Sequence, residues 1–234
     1  SEIVQSDSSG DPNLAQAVKG FLKARDGKPG NVFLGIPHRL DRPTSGVVLF
    51  AKTDKALGRM GELFKNKEVK KTYWAVVDTP PPAEGGRLEH YLVRNRKKNK
   101  SFACQEEAAG GKSKELGDGK VRDRGGKPGG EKKSDKAKRA VLTYRLVAAT
   151  DNYYLLEIEP ETGRHHQIRA QLAAVDCHIK GDLKYGARCS NPNGGIHLHA
   201  REMRFVHPVK KEELRIVAEP PEDVLWNHFA ETVS

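Results

Sequence analysis

Apolar residues recur at helical spacing in three stretches of the chain. Leu14, Val18, Phe21 and Leu22 fall on one face of a helix, and Ala56, Leu57, Met60, Leu63 and Phe64 on one face of a second that starts at a capping Thr53 or Asp54. Val224, Leu225, Trp226 and Phe229 mark a last helix. Shorter runs rich in β-branched and aromatic residues predict strands over 46–51, 72–77, 140–147, 153–158, 196–205 and 214–217. Strands outnumber helices and do not alternate strictly, which points to an α+β fold on a mixed, largely antiparallel sheet with flanking helices. No internal repeat is present.

One stretch has no such pattern. From about 106 to 137 the chain is low-complexity: eight glycines between Gly110 and Gly130 alternate with Lys, Asp and Ser, with almost no apolar residues. It cannot build a core of its own. Strand-like text on either side, YLVRNRKKNKSFA before and RAVLTYRLVAA after, makes it an insertion between two strands within a single domain spanning 1–234. Its GGKS at Gly110 to Ser113 is not a phosphate loop, because Glu106 stands where that pattern needs Gly and no apolar strand leads into it.

Composition narrows the class further. With 234 residues, 36% hydrophobic and 31% charged, the chain can bury one sizeable core. No apolar run approaches the roughly 18 residues of a membrane span, and the opening residues lack the basic-then-apolar layout of a signal peptide. Cys104, Cys177 and Cys189 are odd in number, far apart and without a CxxC pair, which argues against a disulfide framework and a cysteine zinc site. A cytoplasmic protein is expected, or an organellar one if a targeting segment precedes the chain. The net charge is +10, of which residues 94–139 carry +9 with 16 basic and 7 acidic side chains. That concentration fits either a polyanionic partner or a solvated lysine-rich loop.

Three clusters set dense polar chemistry beside apolar strands: His38-Arg39-Leu40-Asp41-Arg42-Pro43-Thr44-Ser45-Gly46, Lys70-Lys71-Thr72-Tyr73-Trp74-Ala75, and Thr162-Gly163-Arg164-His165-His166-Gln167-Ile168-Arg169. In the first, a carboxylate between two guanidinium groups is expected to stay ionised well below neutral pH. It is then a nucleophile or base, or else half of an ion pair that closes a turn. His197 and His199 alternate on one strand, compatible with metal ligation, but no third ligand stands at a suggestive spacing.

In order and wording these clusters resemble the RluA-type pseudouridine synthases. HRLDRPTSGVVLFAK looks like that family's central motif, KKTYWAVV its tyrosine motif and PETGRHHQIRAQLA its arginine motif, and HIKGDLKYGA and LHAREMRFVHP are similar to its later segments. The resemblance runs from about residue 3 to 220, interrupted by the insertion. It implies the pseudouridine synthase catalytic fold and isomerisation of specific uridines in structured ribosomal or transfer RNA, with no cofactor and no metal, by a protein expected to be a monomer.

Carried over residue by residue, the resemblance makes Asp41 the essential aspartate, which attacks the sugar or removes a ribose proton. Tyr73 becomes the tyrosine that packs on the target base and assists proton removal from carbon 5. Arg169 becomes the arginine that pairs with the aspartate, where bidentate geometry favours Arg over Lys. Arg39 matches the residue associated with flipping the nucleotide. His38, Arg42, Lys71, Arg164, His166 and Gln167 complete the expected RNA-binding set, the last three being equally suited to holding the loop. Alternatives are a non-catalytic RNA-binding protein that retains the fold, and a hydrolase that releases uracil. Family members carry an upstream strand with a Lys-Pro dipeptide, and some a further small RNA-binding domain. The chain is therefore expected to be a piece of a longer protein, lacking an N-terminal strand.

Overall fold

The computed structural model describes residues 13–27, 29–105 and 136–233. In chain order the elements are α1 (Leu14–Asp26), β1 (Ser45–Gly46), α2 (Asp54–Lys65), β2 (Lys70–Val77), β3 (Gly85–Asn95), β4 (Lys100–Cys104), β5 (Lys138–Ala149), β6 (Tyr154–Pro160), α3 (Gln167–Ala173), a 3-10 turn (Leu183–Tyr185), β7 (Leu198–Val206), β8 (Glu213–Val217) and α4 (Val224–Thr232). The strands form one sheet in the order β1-β7-β2-β6-β5-β3-β4, with β8 also on β7. Among the described residues only the β1–β7 pair is parallel and the other pairs are antiparallel, so the sheet is mixed and largely antiparallel as the sequence implied.

The apolar run at the end of β2 is explained by burial on both sides. Successive strand residues point to opposite faces. Ala75 and Val77 pack with Leu142, Leu156, Ile158, Ile168 and Leu172 on the α3 side, while Trp74 and Val76 pack with Leu155, Trp226 and Phe229 on the α4 side. A strand covered on both faces has no position to leave polar, which is why strict alternation is missing.

Side chains fix the helix starts. Asn13 accepts from the Gln16 amide ahead of α1, Thr53 rather than Asp54 accepts from the Ala56 amide ahead of α2, and Asp223 accepts from the Leu225 and Trp226 amides ahead of α4. Each satisfies amides that an N-terminus otherwise leaves unpaired.

Two elements depart from the sequence expectation. The strand expected over 46–51 shrinks to Ser45–Gly46. Gly46 has φ 118°, and a Cβ there would collide with the Ala200 backbone, so the chain passes close to β7 and then leaves it. Val47 and Leu49 are apolar because they pack with Met60, Leu63 and Phe64 of α2, not because they extend a strand. Conversely, α3 had no helical signal of its own, being a single short run whose residues 167–172 are all buried.

The insertion, with its GGKS, lies outside the described residues apart from its last positions. Its flanks end on β4 at Cys104 and begin on β5 at Lys138, and both of those strands pair with β3.

Candidate active site

All three motif clusters face an open cleft of about 1010 Å³. Asp41 sits in the turn ahead of β1, where its carbonyl accepts from the Thr44 amide at 2.9 Å. Tyr73 stands on β2 beside an irregularity in the β2–β7 register. Arg169 lies in α3, only 4% exposed, and reaches the cleft from below. The turn, the sheet and the helix thus bring together residues as far apart in sequence as Asp41 and Arg169, 128 positions.

Arg169 is shared between two carboxylates. Its Nε and Nη2 donate to the two oxygens of Asp182, both at 2.7 Å, and its Nη1 donates to Asp41 Oδ2 at 3.4 Å. The bidentate partner is therefore Asp182, not Asp41 as the sequence suggested. Asp182 is 1% exposed and belongs to the HIKGDLKYGA segment, where a lone carboxylate after Gly181 gives no signal of a buried partner. The guanidinium also lies over the Tyr185 ring, 4.9 Å from its centre.

Burial dominates the electrostatics. It raises the Asp41 carboxyl above its ordinary value, opposed first by Arg169 and least by Arg39. The flanking arginines of the motif therefore do not set its charge, contrary to the sequence expectation, because their side chains are exposed while Arg169 is buried beside it. Burial and the neighbouring Asp41 charge raise the Tyr73 phenol, so it is protonated at neutral pH. No hydrogen bond reaches that hydroxyl from the described residues.

The remaining expected residues divide by what they touch. Arg39 is exposed at the cleft wall. Lys71 lines the cleft too, its ammonium destabilised by burial and without a carboxylate within 4.0 Å among the described residues. Arg164 donates from Nε to the Arg139 carbonyl at 3.1 Å, which ties the motif loop to β5. Arg42 is exposed and lines a separate cavity of about 420 Å³ behind the turn.

Three others are engaged within the protein. His38 accepts the Leu49 amide at Nε2, 2.9 Å, and burial followed by the Lys71 charge pushes it down to about 4. Gln167 accepts from Thr162 Oγ1 at 2.8 Å and the Arg164 amide at 3.0 Å, and donates to the Val141 carbonyl at 2.9 Å. His166 is 7% exposed, at φ 52°, with Nε2 3.7 Å from Asp41 Oδ2. Burial, then the Arg169 charge, pushes it down to about 2, so it is neutral.

His197 and His199 are also spoken for. His197 meets Asp223 at 2.9 Å and Asn191 at 3.0 Å; His199 meets Ser45 at 2.8 Å and the Ala218 carbonyl at 2.9 Å. Among the described residues no cluster of His, Cys, Asp or Glu is arranged to hold a metal ion, and no helix is long and apolar enough to cross a membrane.

Comparison with known proteins gives the arrangement its context. The chain is 31% identical over 213 residues to tRNA pseudouridine synthase C of Vibrio vulnificus, covering 83% of this chain and 74% of that protein. It is 27% identical over 198 residues to ribosomal large subunit pseudouridine synthase D of Zymomonas mobilis, covering 81% of this chain but only 54% of that longer protein. Among solved structures, human RNA pseudouridylate synthase domain containing 4 superposes with a TM-score of 0.71 at 26% identity, covering 99% of this chain and 86% of that one. The profile of the RNA pseudouridylate synthases matches residues 4–174, and with that match and those relatives the chain belongs to the RluA-type RNA pseudouridylate synthase family.

Proposed function

We propose that the protein isomerises uridine to pseudouridine within ribosomal or transfer RNA, with Asp41 as the acting carboxylate. The observation that supports this most is the shared arginine: Asp41, 27% exposed, is held at the cleft wall by a guanidinium that a second, buried carboxylate fixes from behind. O-glycoside hydrolysis uses two carboxylates, one of them to protonate a poor leaving oxygen. Uracil instead leaves as a stabilised anion and is kept, so one carboxylate suffices.

The reaction breaks the bond from ribose C1′ to uracil N1, turns the base, joins C1′ to C5, removes the C5 proton and returns one to N1. Asp41 either attacks C1′ or takes a ribose proton to give a glycal. No atom or electron is gained or lost overall, so the chemistry calls for no organic cofactor. Tyr73 packs on the base. Because its phenol is protonated, it accepts the C5 proton only while passing its own proton on, and Asp41 is the neighbouring acceptor.

The target must leave its stack to reach this cleft. Arg39 at the cleft wall is suited to filling the gap, and Lys71 offers a cation with no carboxylate within 4.0 Å among the described residues. The basic run 94–139 supplies sequence-independent phosphate contacts, which weaken with salt through counterion release.

The test is chemical mapping of pseudouridine in ribosomal and transfer RNA with and without the gene, repeated with Asp41→Asn. Loss of defined pseudouridines in both strains supports the reading. Unchanged maps and intact RNA affinity would assign the chain to RNA binding alone, and free uracil in vitro would make it a hydrolase.

A further inference from the structure

A neutral histidine, His166, lines the cleft with a second, His165, stacked on it, and the proposed chemistry uses neither. His165 and His166 stack with ring centres 3.8 Å apart, and His166 adopts the left-handed backbone region, φ 52° and ψ 29°, at the residue before α3. Non-glycine residues are uncommon there. Its two ring nitrogens meet different groups: Nδ1 lies 3.0 Å from the Tyr185 hydroxyl, and Nε2 lies 3.7 Å from Asp41 Oδ2.

The Tyr185 hydroxyl decides what His166 does. It accepts the Ser101 amide at 2.9 Å, so its single proton goes to one of two acceptors, the Ser101 carbonyl at 3.1 Å or His166 Nδ1 at 3.0 Å. A proton on the carbonyl side forces the imidazole to carry its hydrogen on Nδ1 and turns a bare Nε2 lone pair toward an anionic carboxylate. A proton on the Nδ1 side puts the hydrogen on Nε2, where it faces Asp41. The carboxylate charge favours the second arrangement, and the tautomer of a neutral histidine follows from the bond its other nitrogen makes.

We propose that His166 is a positioning residue for Asp41, a neutral N–H donor held in the Nε2–H tautomer by the Tyr185 hydroxyl, so that the carboxylate rests between one cation and one uncharged donor. The neutrality matters chemically. Arg169 already supplies a full positive charge, and a second cation would stabilise the carboxylate anion further and make it a poorer nucleophile or base. An uncharged N–H orients the same oxygen at smaller cost to its reactivity. Contacts to a reacting group are often long before substrate binds, and 3.7 Å is short enough to tighten on binding. The relay also begins on β4, at Ser101, so the Asp41 turn is linked to a strand remote from it in sequence.

The inference rests on the proposed role of Asp41, and the test separates the two. The parent and the Tyr185→Phe, His166→Gln, His166→Ala and Asp41→Asn variants are compared by single turnover on saturating RNA across pH, with nitrogen NMR of the His166 ring as a readout independent of activity. Tyr185→Phe keeps the ring beneath Arg169 and deletes only the hydroxyl. The parent is expected to show a protonated Nε2, and Tyr185→Phe a mixture of tautomers with turnover reduced by about 10- to 100-fold, the range for losing one donor to a charged acceptor. The acid limb of its rate profile should move to higher pH, since Arg169, Asp182 and Arg39, the other charges acting on Asp41, are unchanged. His166→Gln, which keeps an N–H near the Nε2 position, should be faster than His166→Ala. A bare Nε2 in the parent overturns the proposal, as does equal turnover of the Gln and Ala variants. If either His166 variant fails to fold, the ring NMR of the parent and Tyr185→Phe still decides. An active Asp41→Asn variant would instead sink the role of Asp41 itself.

Discussion

Asp41 and Asp182 bind the same guanidinium and differ in nearly everything else. Asp182 is 1% exposed and takes two 2.7 Å bonds from Arg169; Asp41 is 27% exposed and takes one at 3.4 Å. The first geometry uses the planar fork of arginine fully, which is how a buried charge pair recovers its desolvation cost. The second leaves the carboxylate tethered but under-neutralised, facing a cleft. The same side chain therefore provides a structural anchor on one side and a reactive group on the other, and the difference lies in how many of its N–H groups each partner receives.

The largest expected effect separates the two on activity. Asp41→Asn keeps the shape and removes the anion that both candidate routes need, so turnover should fall by roughly 10⁴-fold or more, as when the reacting group itself is removed. RNA affinity should be nearly unchanged. Quantified pseudouridine yield on a fixed RNA, alongside a filter-binding curve, checks both, and retention of a substantial fraction of parent turnover would remove Asp41 from its role.

Asp182→Asn attacks the anchor instead. It leaves the guanidinium buried with Asp41 as its one carboxylate among the described residues, and breaking a buried pair from one side costs about 3–5 kcal/mol. The denaturation midpoint should drop with an unchanged slope. Arg169 is then free to turn both forks toward Asp41, so the surviving folded enzyme should also be slower. A midpoint within error of the parent would show that the 2.7 Å pair contributes little.

Arg169→Lys tests whether one residue must serve both. A single ammonium cannot give two parallel bonds to Asp182 and a third to Asp41, so stability and turnover should fall together. Tyr73→Phe is the control on the cleft side. Its hydroxyl has no partner among the described residues, so stability should stay within about 0.5 kcal/mol, while product formation slows by roughly 10²- to 10⁴-fold for loss of a positioned proton-transfer group. Equal single-turnover rates for Tyr73→Phe and parent would leave the ring with stacking alone.

How much of this was legible in the sequence differs by residue, for physical reasons. Asp41, Tyr73 and Arg169 stand in dense polar clusters beside apolar strands, and the motif order brought them into one hypothesis before any geometry. Nothing in the sequence marks Asp182 or Tyr185, because their partners lie on other elements, Arg169 on α3 and Ser101 on β4; a lone Asp in a turn reads as a turn residue. For Gln167 the sequence leaves RNA binding and loop holding equally open, and His38 reads as a donor for RNA, because residue type does not reveal that an amide or an imidazole is already spent on backbone groups. Helix α3, at seven residues, is shorter than the window in which a 3.6-residue period shows. Strand β1 is shorter than its apolar run predicts because apolar residues packed beneath a helix and apolar residues in a ladder look alike.

The smallest expected effect asks which force wins at Asp41. Its carboxyl is raised above the ordinary value because burial outweighs the attraction of Arg169. A raised native value means that the folded state holds the proton more tightly than the unfolded chain, so stability falls as pH rises from the ordinary carboxylate range through the native value. The Asn variant carries no charge and escapes that loss. It should therefore melt above the parent at neutral pH, with the two curves converging as the pH falls below the ordinary aspartate value and the parent carboxyl is protonated in both states. For Asp182 the same substitution is expected to lower stability, so opposite signs at the two ends of one arginine are the signature of an anchor and a reactive group. An Asp41→Asn protein that melts below the parent at neutral pH would mean that Arg169 wins at both ends, and that Asp41 is a second anchor.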